Sequence, residues 1–254
     1  MKKILLFTLV TGFALASFGQ KQIKPKKTEA ARVAVKFKKD ISDDAVNLNT
    51  QEVNYVRNKN FGINAEQIGD TYYDHQSNAG MQNRIYMNND TVLAVWTMSQ
   101  DDGGNTSDRG TGFNYKAKTG DWQAMPTERI ESYRTGWPAV SATTNGQVVV
   151  VNHDGTAALS ISVKPSAANG EWTESQIPTV YDSPEDILFP RFVIGGAEGN
   201  TIHVAAVTAD ASFGGGPVEG LDGALLYWRG TIAEDGTITW DVQDYVINAF
   251  SSEY

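Results

Sequence analysis

The chain has 254 residues, 21 Lys and Arg, 30 Asp and Glu, three His and no Cys, for a formal net charge of −9. The lack of Cys excludes a disulfide scaffold, a cysteine nucleophile, a zinc–thiolate site and a lipidated N-terminal Cys. The acidic balance argues against a nucleic-acid partner, and 24 Gly, ten Tyr and six Trp fit short strands and turns better than a helical bundle.

Met1 to Gln20 reads as an address. Lys2 and Lys3 precede an apolar run from Ile4 to Ala16, and Ala14-Leu15-Ala16 supplies small residues at cleavage spacing. This is the three-part pattern of a secretory signal peptide. The run of 13 residues falls short of the roughly 20 needed to span a bilayer. An exported protein with no membrane span in the mature chain is therefore expected, with the secretion machinery as its first partner.

Residues 21–39 carry eight Lys and Arg against Glu29 alone, a charge of +7, whereas residues 40–254 carry 11 against 29, a charge of −18. Residues 21–64 read as a basic, flexible tail and linker. Residues 65–254 read as the folded body.

From about residue 80 the pattern turns to short apolar runs split by Gly, Asn and Asp. Asn83-Arg84-Ile85-Tyr86 is followed by Thr91 to Trp96, Gly136 to Val140 by Gln147 to Val151, and Leu188 to Val193 by Thr201 to Val207. The spacing from Arg84 to Pro138 is 54 residues, and from Pro138 to Pro190 it is 52. Turns at Asn88-Asn89-Asp90, Asn145-Gly146 and Gly195 to Asn200 make each pair of runs an antiparallel hairpin. A third run follows in each unit (Gly112–Lys116, Ala158–Val163, Ala224–Trp228), then a turn and a Trp (Trp122, Trp172, Trp240) that opens a fourth. Four strand-sized segments repeated about every 50 residues are the signature of a β-propeller blade, because one blade cannot bury both faces without neighbours. The expected fold is all-β, a partial propeller of three four-stranded antiparallel blades. A β-sandwich is the rival, and the regular repeat disfavours it. Three units fall short of the four to eight blades of a closed propeller. Val246 to Tyr254 lie where a fourth unit would begin, so a truncated propeller is expected.

The Gly-acid-Trp turns resemble a degenerate Asp-box, the Ser-x-Asp-x-Gly-x-x-Trp turn of sialidase-like propellers. Ser162 to Trp172 and Tyr115 to Trp122 are loose versions that lack the Asp at its place. Asp74–Trp122, with Gln82-Asn-Arg-Ile-Tyr86 and Asp108-Arg-Gly-Thr-Gly-Phe-Asn-Tyr115, resembles secreted sialidase-like propellers of Gram-negative bacteria. The resemblance covers roughly residues 65–250 and implies a propeller, glycoside hydrolysis of the sialidase type and, often, type IX secretion. It also implies arginines that clamp a substrate carboxylate bidentately, an acid/base Asp and a Tyr nucleophile activated by Glu. Arg84 and Arg191 occupy equivalent places at the start of a first strand, and Arg134 or Arg109 is a third candidate. The family's Pro after the first Arg-Ile is Tyr86 here, and the acid/base Asp and the Tyr/Glu pair have no counterpart.

In a propeller, the loops joining strands 2 and 3 and the loops between blades share one face. Here those loops hold Asp101, Asp102, Asp108, Arg109, His153, Asp154, Asp210, Glu219 and Asp222, together with Glu128, Arg129, Arg134, Asp182, Glu185 and Asp186. Arg84, Arg191, Asp108, Arg109, Arg134, Asp154 and Asp210 are the candidate ligand-binding residues. Loop 208–223 is the longest, and its Gly214-Gly215-Gly216 permits unusual backbone angles. Asp101-Asp102-Gly-Gly-Asn105-x-x-Asp108 is oxygen-rich and suits Ca²⁺ through Asp101, Asp102 and Asp108, although it lacks the spacing of an EF-hand. Of the three histidines, His203 lies inside a strand and is expected in the core. Tyr72, Tyr73, Trp137, Tyr181 and Phe213 fall in or beside the loops and offer rings on which a sugar can stack. Recognition of an extracellular glycan or other polymer is the expected function. A sialidase-like hydrolase and a structural or adhesion repeat are the alternatives.

Overall fold

The computed structural model describes residues 65–73, 75–76, 83–102, 106–154, 158–183 and 186–247. The expected signal peptide and basic tail lie outside the described residues. Among the described residues no helix is long and apolar enough to cross a membrane.

Among the described residues eleven strands run in chain order: β1 (Ile85–Asn88), β2 (Thr91–Met98), β3 (Gly110–Ala117), β4 (Gly136–Ala142), β5 (Val148–Asp154), β6 (Ala158–Lys164), β7 (Thr173–Gln176), β8 (Ile187–Gly195), β9 (Thr201–Thr208), β10 (Leu225–Ile232) and β11 (Ile238–Val246). They form three separate sheets, β1-β2-β3, β4-β5-β6-β7 and β8-β9-β10-β11, and every neighbouring pair is antiparallel. Each sheet is thus an up-and-down meander of consecutive strands, here blades 1, 2 and 3. A Greek-key sandwich exchanges strands between its sheets, and no exchange occurs among the described residues.

The register makes the repeat exact enough to compare position by position. Count from Thr91, Gln147 and Thr201, the first paired residue of each second strand. The fifth residue is then Val95, Val151 or Ala205, and opposite it on the first strand stand Arg84, Ala139 and Arg191.

Four consecutive valines in β5 show how the blades stack. Val148 and Val150 point to one side and join Leu93 and Val95 of blade 1. Val149 and Val151 point to the other and join Ile202 and Val204 of blade 3. Both faces of blade 2 are covered, so its strand is continuously apolar rather than alternating. Each such side chain stabilises the stack by about 1.5–3 kcal/mol relative to exposure.

Blade 1 differs from expectation. Trp122 opens no regular fourth strand among the described residues. Residues 121–135 follow the edge of β3 through scattered bonds, Gln123 N–H to Tyr115 O (3.1 Å) and Ile130 N–H to Thr111 O (3.0 Å). The stretch Gln123 to Glu128 includes Pro126 and lacks β-branched alternation, so it has little tendency to pair regularly. In blade 2 the expectation holds: Trp172 lies just before β7 and packs edge-on against Phe113 of blade 1, with centroids 5.2 Å apart.

His203 is a second difference. It lies in β9 but on the face of blade 3 turned away from blade 2, half-buried, with Nδ1 2.7 Å from the Tyr227 hydroxyl. Strand position alone does not say which face is covered.

Candidate functional site: the loop end of the inner strands

The first strands of blades 2 and 3 enter through the same distortion. Trp137 and Phe189 both have positive φ, 50° and 53°, and each precedes a Pro. In both strands the register slips across this point, between Gly136 and Ala139 and between Leu188 and Arg191. A left-handed backbone costs a non-glycine residue about 1–2 kcal/mol, and a bulge re-aims side chains. Such strain persists only where the surroundings impose it, and it gathers at functional sites.

Here the re-aimed rings form an arc. Trp137 meets Tyr73 edge-on at 6.2 Å, His153 at 5.6 Å and Phe189 at 6.3 Å. The Arg109 guanidinium lies 4.6 Å from the Trp137 ring centre and 5.2 Å from that of Tyr73, making a cation–π contact with each. Its Nε donates to Thr135 O (2.9 Å) and its Nη1 to the Tyr73 hydroxyl (3.4 Å). Gly136 makes room, since a Cβ there would lie 2.9 Å from Arg109 Nε. Burial lowers the Arg109 pKa, and the nearby Arg134 charge lowers it further.

Arg84 belongs to the same arc. Its Nη2 donates to Gln76 O. The Gln76 side chain clamps Thr97, accepting from its N–H (2.9 Å) and donating to its carbonyl (2.8 Å). The Thr97 hydroxyl in turn accepts from the Trp137 N–H (3.1 Å). Burial and then the positive charge of Arg191 lower the Arg84 pKa to about 10. Burial also lowers Arg191, whose Nη1 donates to Pro190 O (2.9 Å). The repulsion falls on Arg84, the more deeply buried of the two. No carboxylate among the described residues compensates it. Its Nη1 and the indole Nε1 of Trp137 are both buried without a hydrogen-bond acceptor. Two orphaned donors in one arc call for an acceptor, and each costs about 1–3 kcal/mol while it lacks one.

A cleft of about 350 Å³ opens nearby, between the loop after β2 and the strap leading to β4, and Asp108, Glu128, Arg129 and Glu131 edge it. Glu131 is only 3% exposed. Its Oε2 accepts from the Thr111 N–H (2.8 Å), and its Oε1 accepts from Asn152 Nδ2 of blade 2. Burial raises its pKa against the opposing pull of the Thr111 bonds. Asp108 behaves oppositely. Burial pushes its pKa up, but bonds from the Ser99 hydroxyl (2.5 Å) and the Gln100 N–H (2.6 Å) outweigh it, and the net shift is downward. Glu131 escaped the sequence reading because a Glu in a polar loop carries no local sign of burial. The donors that hold it lie 20 and 21 residues away.

The remaining candidates scatter. Arg134 is exposed and donates from Nε to Thr106 O (3.2 Å). Asp154 ends β5, paired through the backbone with Ala158. Asp210 caps the short 3-10 turn Ala211–Phe213 by accepting from the Ser212 N–H, and bonds from Ser212 lower its pKa. It orders its own loop, in which only Gly214 of the three consecutive glycines has positive φ. Tyr181 is half-buried against the core, whereas Tyr72 and Phe213 are exposed. Asp101 and Asp102 flank residues 103–105, which lie outside the described residues. Among the described residues no three His, Asp or Glu side chains converge on a point that suits a metal ion. Of the sequence candidates, the fold therefore brings together Arg84 with Arg191, and Arg109 with Arg134.

No protein-family model matches the chain, and no curated protein matches it. Solved structures similar to it include the catalytic domain of a GH62 α-L-arabinofuranosidase from Coprinopsis cinerea, with 11% identity over 68% of this chain and 66% of that one and a TM-score of 0.38. A native arabinanase from Bacillus subtilis shows 12% identity over 64% of this chain and 70% of its own, with a TM-score of 0.31. A GH43 endo-arabinanase from Bacillus licheniformis shows 9% identity over 72% and 84%, with a TM-score of 0.26. The chain spans just under two thirds of the length of the first of these, at 66%. Likenesses this distant carry no site residue across. From its own strand order, the chain is an all-β, propeller-type stack of three antiparallel blades.

Proposed function

We propose that the chain is an exported propeller module that binds an anionic extracellular polysaccharide at its loop face, with Arg84 as the anchor for a carboxylate or similar oxyanion. The observation that supports this reading is the state of Arg84. It is half-buried, repelled by Arg191, uncompensated by any carboxylate among the described residues, and left with an unused donor at Nη1. A bound oxyanion relieves all of these together and makes charge-assisted bonds of the strong kind. The indole Nε1–H of Trp137 offers a second donor, and the rings of Trp137 and Phe189 offer apolar surface for a sugar face.

The test is calorimetric titration with polygalacturonate, sialosides and matched neutral glycans. Acidic glycans should bind, and Arg84→Ala should weaken them at least tenfold, about 1.4 kcal/mol. Binding should persist to pH 9 and fade as Arg84 loses its proton near its pKa of about 10. Failure of acidic glycans to bind, or acidic-glycan affinity indifferent to Arg84→Ala, would refute the reading.

A glycoside hydrolase is the second reading. Asp108 and Glu131 edge one cleft, and their surroundings push their carboxyls in opposite directions, the arrangement of a base and an acid. Release of 4-methylumbelliferone from a glycoside panel, lost in Glu131→Gln, would favour it. No release from any member of the panel would remove it.

A further inference from the structure

The two seams between blades are built on the same repeat, yet at the hairpin-turn end they differ. Between blades 2 and 3 the turns are stitched together. Thr144 N–H donates to Gly199 O (3.0 Å), and Gln147 Nε2 donates to Ala233 O (2.8 Å) and Glu234 O (3.2 Å). Gly199 sits so close that a Cβ would overlap the Thr144 hydroxyl. Between blades 1 and 2 the residue equivalent to Gln147 is Thr91, whose side chain is too short to cross. No hydrogen bond joins the Asn88–Thr91 turn to blade 2 among the described residues. A cleft of about 490 Å³ occupies the place instead. This is within the range of about 300–1,000 Å³ typical of small-ligand sites.

The lining has a definite chemistry. Leu93 and Val148 lie at the back, each 1% exposed, and the accessible apolar lining is Ala117, Ala167 and the half-buried ring of Tyr115, which stacks on Phe113 at 6.0 Å. Asn88, Asn89 and Asp90 form one rim. Their side chains make no intramolecular hydrogen bond among the described residues, so amide donors, amide acceptors and a carboxylate acceptor are all available. Asn89 is held at φ 52°, a left-handed conformation that presents the turn. The opposite rim is Ser166 to Ala168, and among the described residues no Lys or Arg lines the cleft.

We infer that this cleft is a second, independent binding site, for an uncharged saccharide unit. An apolar lining with a ring suits the C–H face of a sugar. The amides and the carboxylate suit its hydroxyls, which both donate and accept. With Asp90 present and no cation among the described residues of the lining, an anion is disfavoured. The site faces the opposite end of the stack from Arg84, so one polymer with neutral and acidic units, or two chains, can be held at once.

The test titrates the full chain with a panel of neutral mono- and disaccharides up to 20 millimolar by calorimetry and by NMR. Thr91→Gln, which copies the stitch of the other seam, and Ala167→Trp, which fills the cleft, should each weaken binding at least tenfold. Both should leave the circular dichroism spectrum unchanged, and Thr91→Gln should not lower Tm. Arg84→Ala should leave this binding intact while removing binding of acidic glycans, so each site fails or stands by itself. The inference is overturned if no neutral saccharide binds, if binding survives both cleft variants, or if Arg84→Ala abolishes it.

Discussion

The seam between blades 2 and 3 and the seam between blades 1 and 2 solve one packing problem in two ways. The first is apolar along its length, with Val149, Val151 and Ile161 meeting Ile202, Val204, Leu226 and Trp228. Its turn end is closed by Gln147. The second has a smaller apolar centre and spends its two ends on polar groups. At the loop end stand Arg109 and the buried Glu131–Asn152 bond, and at the turn end stands the cleft edged by Asn88 to Asp90. Both clefts and the uncompensated indole of Trp137 adjoin this second seam. One seam holds the stack together. The other has a smaller apolar centre and more polar groups at its ends, and these are the groups that the proposed binding sites use.

Substitutions can break that contrast, beginning with the cohesive seam. Trp228 is 1% exposed and donates from Nε1 to Pro178 O (2.8 Å). Trp228→Ala should cost about 3–5 kcal/mol, a large part of a typical domain's stability, read by urea unfolding. A loss below about 1 kcal/mol would mean that the seam is not packed as described.

Glu131→Gln should cost less, about 1–3 kcal/mol, because an amide –NH₂ would face the donors of Thr111 or Asn152. Its pH signature is sharper than its size. The folded pKa of Glu131 is raised, so the folded state binds more protons than the unfolded state above the ordinary value of 4.5. Stability from this group therefore falls as pH rises from 4.5 through the raised pKa, and returns on acidification. A plot of unfolding free energy against pH should lose this downward component in Glu131→Gln. Identical slopes in both proteins would place the carboxyl in water instead.

Gln147→Ala removes two bonds between turns and should cost about 1 kcal/mol, making the closed seam resemble the open one. Hydrogen exchange at Thr144 and Ala233 should quicken, while the Thr91 turn stays unchanged. The Arg229–Asp241 pair lies outside both seams and is exposed, with Nη2 and Oδ2 2.5 Å apart. Arg229→Gln should leave Tm within error, since water and salt screen such pairs. A clear drop there would show that cohesion is not confined to the seams.

The hairpins, the period near 50 residues and the membership of each blade were legible from the chain alone. Turn residues and apolar runs act over a few positions, and the sequence displays them directly. The equivalence of Arg84 and Arg191 was legible for the same reason, because a repeat aligns like with like. The same logic failed where the repeat decays, at the irregular edge of blade 1, and where a face had to be assigned, at His203.

Only the tertiary structure decided the chemistry of the loop face. It set two guanidiniums 107 positions apart in sequence near enough to repel, turned Trp137 and Phe189 through a left-handed backbone, and sank Glu131 among donors from two blades. It also opened a cleft where Thr91 stands in place of a glutamine. Burial, charge repulsion and an unused donor are properties of what surrounds a residue, and in a stack of blades those surroundings come from other turns of the repeat.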